Sequence, residues 1–482
     1  MLPDIGLLTI FYFCVDERGL SWHALVHVCR KWRNLVFRSP RRLGLRLYYD
    51  TITPMRQALD VWPSLPIIIK SYDGKVMGNL IAALEYNDRI CELDLEYLPT
   101  SQLNLKKTLE AMQRPFPSLT YLKIHRIHFA VEEVLPIPVP ASFLGGFAPR
   151  LQTLDLEWIP FPGLPKLLLS ATHLITLSLV EIPPSGYISP EALVACLSGL
   201  TRLNKLVLEF EYPESESPCL PPRTRTLLPA LTELRLQAFS EYLEDLVARI
   251  DAPLLDNLII IFLDEAMFDN PQTAQFIGRA PNFEAYDHAQ VVFSDMGISV
   301  VFLQASIRLE LRILGFEPDE QLSSLVQVCS SSFPRSLIAS LERLYLLAFE
   351  PFQDRDPGDI DITQWLDLLR PFTGVKRLYM HSEFGPYIPL ALQGLVGERV
   401  TDVLPALQGL FLEIREEEER EKEEEEEEDE DEDEEEEEEG DEGEPLGVRD
   451  AIGQFVAARR LAGHPVYFYP WVDALSGPSA FY

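Results

Sequence analysis

A short apolar frame, L-x-x-L-x-L, recurs along this chain and constrains its fold more than any other feature. The frame is clearest at Leu151–Leu156, where Leu154 and Leu156 are two residues apart, so that a β-strand places both on one face. The other nine copies are Ile90–Leu95, Leu119–Ile124, Leu174–Leu179, Leu203–Leu208, Leu231–Leu236, Leu255–Ile260, Leu341–Leu346, Val375–Met380 and Leu407–Leu412. Each step between neighbouring copies is 23 to 34 residues, except the step from 255 to 341.

One short strand cannot bury such a face alone, whereas stacked copies bury their faces against one another. The repetition therefore predicts an α/β fold, namely a leucine-rich-repeat solenoid with parallel strands on its concave face. We expect the solenoid to span residues 45–415. Helical periodicity at 448–461 and an apolar run at 466–469 predict a helix and a strand that cap it within residues 445–482.

Most of the net charge of −35 lies in one run at 416–444, which carries 25 acidic and 2 basic side chains. Like charges at this density repel and bury no core, so we expect a disordered acidic insertion. The strong negative charge argues against nucleic acid as a partner. The run is either a solubilising loop or a segment that attracts basic proteins such as histones.

Composition predicts a soluble intracellular protein, cytoplasmic or nuclear, with no membrane partner. The six cysteines are scattered and form no C-x-x-C pair, which is typical of a reducing compartment. We find no secretory leader and no apolar run long enough to span a membrane.

The sequence predicts no catalytic site. It contains neither a G-x-S-x-G nucleophile elbow nor a G-x-x-x-x-G-K-[ST] phosphate loop. His23 and His27 have a zinc-ligand spacing, but a metalloprotease helix would carry Glu where Ala24 lies. His125 and His128 follow a predicted strand and are not expected to converge. We therefore expect a protein that is not an enzyme and has no cofactor or metal.

The first forty residues depart from the frame and predict helices instead. Leu2-Pro3-Asp4 is typical of a helix start, with proline and an acid in the first turn. Ser21 is a candidate N-cap for a second helix. Its apolar residues recur every three or four positions and so lie along one side of a single amphipathic helix; they are Trp22, Leu25, Cys29, Trp32 and Val36.

This N-terminal segment resembles an F-box. The resemblance is carried by Leu2-Pro3, by the apolar stretch 7–11 and by Val28-Cys29-Arg30-Lys31-Trp32-Arg33. Together with the repeats, it resembles the substrate receptors of SCF-type cullin–RING ubiquitin ligases. Four further segments are similar to the large F-box families of mushroom-forming fungi: Trp22–Leu45, Ser240–Pro253, Gln321–Ser332 and Ile452–Pro465.

The resemblance implies that helices at residues 1–44 bind the adaptor subunit of the ligase, and through it a cullin. The residues that match the family's pattern, and that would carry this contact, are Leu2, Pro3, Leu7, Ile10, Val28, Cys29 and Trp32.

The outward face of the predicted strands would bind the target protein. In early copies the outward residues are acidic, namely Glu92, Asp94, Glu96, Asp155 and Glu157. In the last three copies they are aromatic or basic, namely Arg343, Tyr345, Arg377, Tyr379, His381 and Phe411. Aromatic residues and arginine are enriched at interface hot spots. Because Tyr345, Tyr379 and Phe411 share one position of the frame, we expect their rings to form one ladder.

The sequence thus predicts a substrate receptor in which the N-terminal helices bind the adaptor and the repeats bind a target. Two alternatives stay open. In one, the chain is a binding scaffold without a ligase role; in the other, it is an acidic chaperone for basic proteins. A further alternative for the aromatic row is that it stabilises adjacent strands and binds nothing.

Overall fold

The computed structural model shows a mixed α/β protein whose sheets are mostly parallel. It describes residues 3–15, 22–49, 64–72, 77–127, 135–211, 224–263, 270–284, 286–294, 297–314, 318–348, 362–385, 387–395, 397–413 and 446–471. The predictions for Leu2, Ser21, His128 and the acidic run lie outside these residues. The chain divides into two compact units, the first comprising Met1–Leu236 with Arg249–Ala252 and the second Gln237–Ala248 with Pro253–Tyr482.

The described helices of the first unit are α1 (Asp4–Cys14), α2 (His23–Val28), α3 (Arg30–Arg38), α4 (Met77–Leu84), α5 (Gln102–Ala111), α6 (Leu164–Leu168) and α7 (Pro190–Leu197). Its strands are β1 (Leu47–Tyr49), β2 (Ile67–Tyr72), β3 (Ile90–Tyr97), β4 (Tyr121–Arg126), β5 (Thr153–Glu157), β6 (Thr176–Ile182), β7 (Lys205–Phe210), β8 (Thr226–Leu227), β9 (Glu233–Ala238, of which the residues up to 236 belong to this unit) and β10 (Ile250–Asp251).

Strands β1 to β7 lie side by side in chain order, and each pairs in parallel with the next. The frame sets their register. The fourth residue of the frame in each copy is paired with the fourth residue in the next copy, which forms one row across the sheet. The sixth residues of the frame form a second row in the same way. These rows are Leu93, Leu122, Leu154, Leu177 and Leu206, and then Leu95, Ile124, Leu156, Leu179 and Leu208. All ten side chains are buried, and burying each one stabilises the fold by about 1.5–3 kcal/mol.

The second unit contains the helices α8 (Ser240–Ala248), α9 (Pro271–Arg279), α10 (Pro318–Ser331), α11 (Arg335–Ser340), α12 (Ile362–Leu369), α13 (Ile388–Gln393) and α14 (Leu446–Leu461). Its strands are β11 (Asn257–Phe262), β12 (His288–Ser294), β13 (Gly297–Gln304), β14 (Ile307–Leu314), β15 (Arg343–Ala348), β16 (Arg377–Met380), β17 (Gly409–Glu413) and β18 (Tyr467–Trp471).

This unit departs from the expected all-parallel arrangement. Its strand order is β11, β14, β13, β12, β15, β16, β17 and β18, and β13 pairs antiparallel with both β12 and β14. Strand β13 begins at Gly297, whose φ of 142° suits glycine; a Cβ there would clash with the Ile313 carbonyl oxygen. The two hairpins explain the long gap in the frame between 255 and 341.

The prediction of one continuous second helix in the N-terminal segment is wrong. Cys29 has an extended backbone (φ −159°, ψ 168°), which separates α2 from α3. Its sulfur accepts a hydrogen bond from the Trp32 backbone N–H at 3.5 Å, so Cys29 caps α3 instead of lying within a helix. Trp22 is buried, and its indole Nε1 donates to the Arg46 carbonyl at 2.8 Å, which anchors this segment to the start of β1.

The C-terminal helix and strand form as predicted. β18 pairs in parallel with β17, and α14 is anchored by the fully buried Arg459. The Arg459 guanidinium donates to four backbone carbonyls of the segment that precedes β17, those of Val400, Leu404, Pro405 and Leu407, at 3.0–3.3 Å. These bonds pair both terminal nitrogens of the buried guanidinium with backbone oxygens and fix the segment that leads into β17.

Candidate functional site

The aromatic row of the second unit stacks as its spacing predicts. Tyr345, Tyr379 and Phe411 occupy paired positions on β15, β16 and β17. Ring centroids of neighbouring members are 4.5 and 4.4 Å apart, with planes 11° and 15° from parallel. Tyr469 of β18 continues the row at 5.2 Å and 21°. We call these four stacked rings the aromatic ladder.

Trp471 limits access to the aromatic ladder. Its ring meets Tyr379 edge-on at 5.5 Å and lies 6.2 Å from Tyr345 and 6.0 Å from His381. It therefore packs against two of the four rungs on the side of the ladder towards the strand C-termini. A bound partner would meet those rungs only beside this indole.

The two arginines that precede the ladder have different surroundings. Arg343 forms an ion pair with Asp287, and this carboxylate together with Tyr345 outweighs the effect of burial and raises the pKa of Arg343. His288 Nδ1 also lies 2.6 Å from Asp287 Oδ1. Arg377, by contrast, is exposed and has no side-chain partner among the described residues. The sequence analysis predicted the same role for both arginines, whereas among the described residues only Arg343 has a side-chain partner.

His381 is held by the backbone. Its Nδ1 lies 3.1 Å from the Ala348 carbonyl oxygen and 3.2 Å from the Ala348 amide nitrogen, and 4.0 Å from Glu413 Oε2. It packs beside Trp471 rather than extending freely from the sheet.

A groove of about 730 Å³ opens beside Arg377, where β16, β17 and β18 begin. Its lining combines the ladder rings of Phe411 and Tyr469 with Tyr467 and the segments 405–409 and 463–465. The volume lies within the range of ligand-binding clefts. Of all the sequence-predicted target-binding residues, Arg377 and Phe411 are the two that line this groove.

The residues predicted to contact the adaptor divide into buried and exposed positions. Leu7 is buried and packs inside the helical segment, and Trp32 is half-buried, with its ring 4.6 Å from Phe11. The other described members, Pro3, Ile10, Val28 and Cys29, are exposed. Three apolar residues of α1 that the sequence analysis did not select, Ile5, Tyr12 and Phe13, are also exposed, Phe13 at 80%. These helices therefore present apolar side chains to solvent.

The outward face of the first unit is not simply acidic, which corrects the sequence expectation. The predicted acids are half-exposed on β3 and β5, but cations lie among them, Lys70 on β2 and Arg46 just before β1. Lys70 Nζ is 3.3 Å from Asp94 Oδ2, and Arg46 forms an ion pair with Glu92. Analysis of each strand alone missed these pairs because they join residues about 25 to 45 positions apart.

His125 provides the clearest case of charge compensation. Its Nδ1 lies 2.9 Å from Glu157 Oε2, and its Nε2 lies 3.3 Å from Asp155 Oδ2. Burial by itself lowers the pKa of His125, but these two carboxylates outweigh burial and raise the pKa to about 9. The imidazole is therefore a cation at neutral pH and part of the sheet's charge pairing.

Four functional candidates escaped the sequence analysis: Gly409, Tyr467, Tyr469 and Trp471. The alternation of aromatic residues at 467, 469 and 471 was a usable signal, because in a strand all three lie on one face. No sequence signal indicated that the Trp471 ring reaches back to β15 and β16.

Across the described ranges, no group of three His, Cys, Asp or Glu side chains is placed to hold a metal ion. None of the helices in those ranges is both long and apolar enough to cross a membrane. The chain matches no protein-family model, and no curated protein matches it.

Proposed function

We propose that this chain is the substrate-recognition subunit of an SCF-type cullin–RING ubiquitin ligase and performs no chemistry itself. In this proposal α1 to α3 form an F-box that binds the adaptor, and the strand-rich remainder is a leucine-rich-repeat solenoid that binds a target. Linking the two would raise the concentration of the target near the ligase, as any bivalent linker does.

The observation that carries the proposal is the set of apolar side chains that α1 and α2 leave in solvent. Ile10 is 44% exposed and Val28 is 58% exposed, and both match the family's motif positions. A cluster of exposed apolar side chains on short helices is what a protein-binding surface would supply. The buried Leu7 and Phe11 would hold the helices together, while the exposed residues make the contact.

Co-expression of the chain with the adaptor subunit tests this proposal. We expect the Ile10→Glu/Val28→Glu double variant to reduce adaptor capture at least tenfold, because two carboxylates would be desolvated at the interface. The matched control is Leu103→Glu/Leu169→Glu, which changes two leucines that are 73% and 70% exposed, on α5 and just after α6. The control should capture the adaptor as the unchanged chain does.

Failure of the unchanged chain to capture the adaptor would exclude the ligase role. The chain would then be a binding scaffold, for which the aromatic ladder and the groove beside it provide the supporting surface.

A further inference from the structure

We propose that the groove at the start of β16, β17 and β18 binds an extended segment of a partner protein in which a carboxylate side chain lies next to an apolar one. The proposal deepens the target-binding half of the proposed function and rests on it. It places the contact at Arg377, Gly409, Phe411 and Tyr467, and not along the whole aromatic ladder.

The strand register creates the groove. Arg377, Gly409 and Tyr467 are paired neighbours at the first positions of β16, β17 and β18. Adjacent parallel strands lie roughly 4.8 Å apart, so the backbones of the two outer residues are separated by roughly 10 Å. Because the middle residue is glycine, it adds no side chain of its own between the guanidinium and the Tyr467 ring.

An aromatic ring occupies the space directly above this glycine. A Cβ built on Gly409 would lie 2.9 Å from Cε2 of Phe411, closer than ordinary van der Waals contact. Phe411 therefore folds back against the bare backbone and forms an apolar wall of the groove. An aliphatic or aromatic side chain of a partner can pack on this ring and on Tyr469.

The charge of the groove selects an anion. Its lining includes the Arg377 guanidinium, and none of the described lining residues is Asp or Glu, in a chain whose net charge is −35. Arg377 has no carboxylate partner among the described residues, whereas the paired position on β15, Arg343, is bound to Asp287. A guanidinium of this kind matches a carboxylate in a bidentate geometry.

A partner could instead pack on the aromatic ladder or add a strand at the edge of the sheet, but both modes are less favourable. On the ladder side, Trp471 already packs against Tyr345 and Tyr379. At the sheet edge, the Tyr467 N–H donates inward to the Gln408 carbonyl at 2.9 Å, so the backbone groups of Phe468 and Pro470 point outward. Since proline has no N–H, the described part of β18 offers one outward donor, a poor template for an added strand.

A displayed library of random 12-residue peptides, selected on the full-length chain, tests the proposal. We expect the selected peptides to share Asp or Glu beside an apolar residue, and to bind Arg377→Glu at least tenfold more weakly. Gly409→Val should weaken binding to a similar extent, because its side chain would displace Phe411 and fill the groove. The matched control Arg370→Glu makes the same charge change on an exposed arginine just after α12 and should bind the peptides normally.

Arg377 is exposed, so Arg377→Glu decides the matter even if Gly409→Val fails to fold. Selected peptides that lack an acid, or that bind Arg377→Glu as tightly as the unchanged chain, would overturn the proposal. A tenfold gain in peptide binding after deletion of residues 416–444 would also overturn it, because the chain's own acidic run would then be the occupant. Adaptor capture is measured separately and should not change in Arg377→Glu, so failure here is distinguishable from failure of the ligase role.

Discussion

The outward faces of the two units use the same strand positions in different ways. In the first unit, cations and carboxylates alternate across strands: Lys70 pairs with Asp94, and His125 with Asp155 and Glu157. In the second unit, β15 to β18 place stacked rings at these positions and leave Arg377 without a partner among the described residues. On the first face the described ion pairs compensate charges within the sheet, whereas on the second the Arg377 guanidinium has no partner among the described residues.

The difference shows what identifies a binding surface on a repetitive sheet. Cross-strand ion pairs and aromatic pairs each contribute roughly 0.2–1 kcal/mol to a sheet, so both kinds of row stabilise it. Stabilisation alone therefore does not distinguish a structural row from a functional one. The observation that separates the two faces is the Arg377 guanidinium, which lies beside the groove and has no partner among the described residues.

The largest effect we expect is on stability, from Tyr379→Ala. Tyr379 stacks on two rings and meets Trp471, so its removal forfeits two stacking contacts as well as apolar burial, about 3 kcal/mol in total. Tyr121→Ala in the first unit is the matched control, since its paired neighbours are Glu92 and Thr153; we expect about 1 kcal/mol. Urea unfolding followed by circular dichroism measures both. Equal losses would remove the contrast between the two faces.

The frame predicted which way each side chain of a strand points, but it predicted few of the contacts between residues of different elements. Because successive residues of a strand point to opposite faces, the frame predicted which residues face outward. Tyr345, Tyr379 and Phe411 hold the same position of the frame, so their stacking could be predicted. The helix break at Cys29 did not follow, because a capped extended residue and a helical residue fit the same apolar spacing. The pairing of Arg343 with Asp287 could not be predicted either, since Asp287 precedes β12, which lies between two copies of the frame and outside both.

A second, intermediate effect should appear as a pH dependence of the first unit. The pKa of His125 is about 9 in the folded chain, above its usual value of about 6.5. Its stabilising contribution is therefore fully present below about pH 6.5 and is lost as the pH rises through about 9. We expect the free energy of unfolding to fall by about 2 kcal/mol between pH 7 and pH 10 through this group.

His125→Gln is the control for that titration, because it removes the ionisable ring and leaves every other group in place. The variant should be less stable than the unchanged chain at pH 7 and nearly as stable at pH 10. If the two unfolding curves keep a constant separation across this range, the two carboxylates do not stabilise a charged imidazole.

The smallest expected effect compares two exposed cations. Lys205 Nζ lies 2.9 Å from Glu233 Oε2, with both side chains more than two-fifths exposed, so Lys205→Ala should cost about 0.5 kcal/mol or less. Arg377→Ala breaks no ion pair among the described residues, so its free energy of unfolding should match that of the unchanged chain. Raising the salt to about 1 M should shrink the Lys205 effect, because the Debye length falls to roughly 3 Å, and should leave Arg377→Ala unchanged. A loss of more than about 1 kcal/mol in Arg377→Ala would exceed what an unpaired exposed side chain contributes. That result would mean that Arg377 serves the fold, and the groove would lose its anchor for an acidic partner.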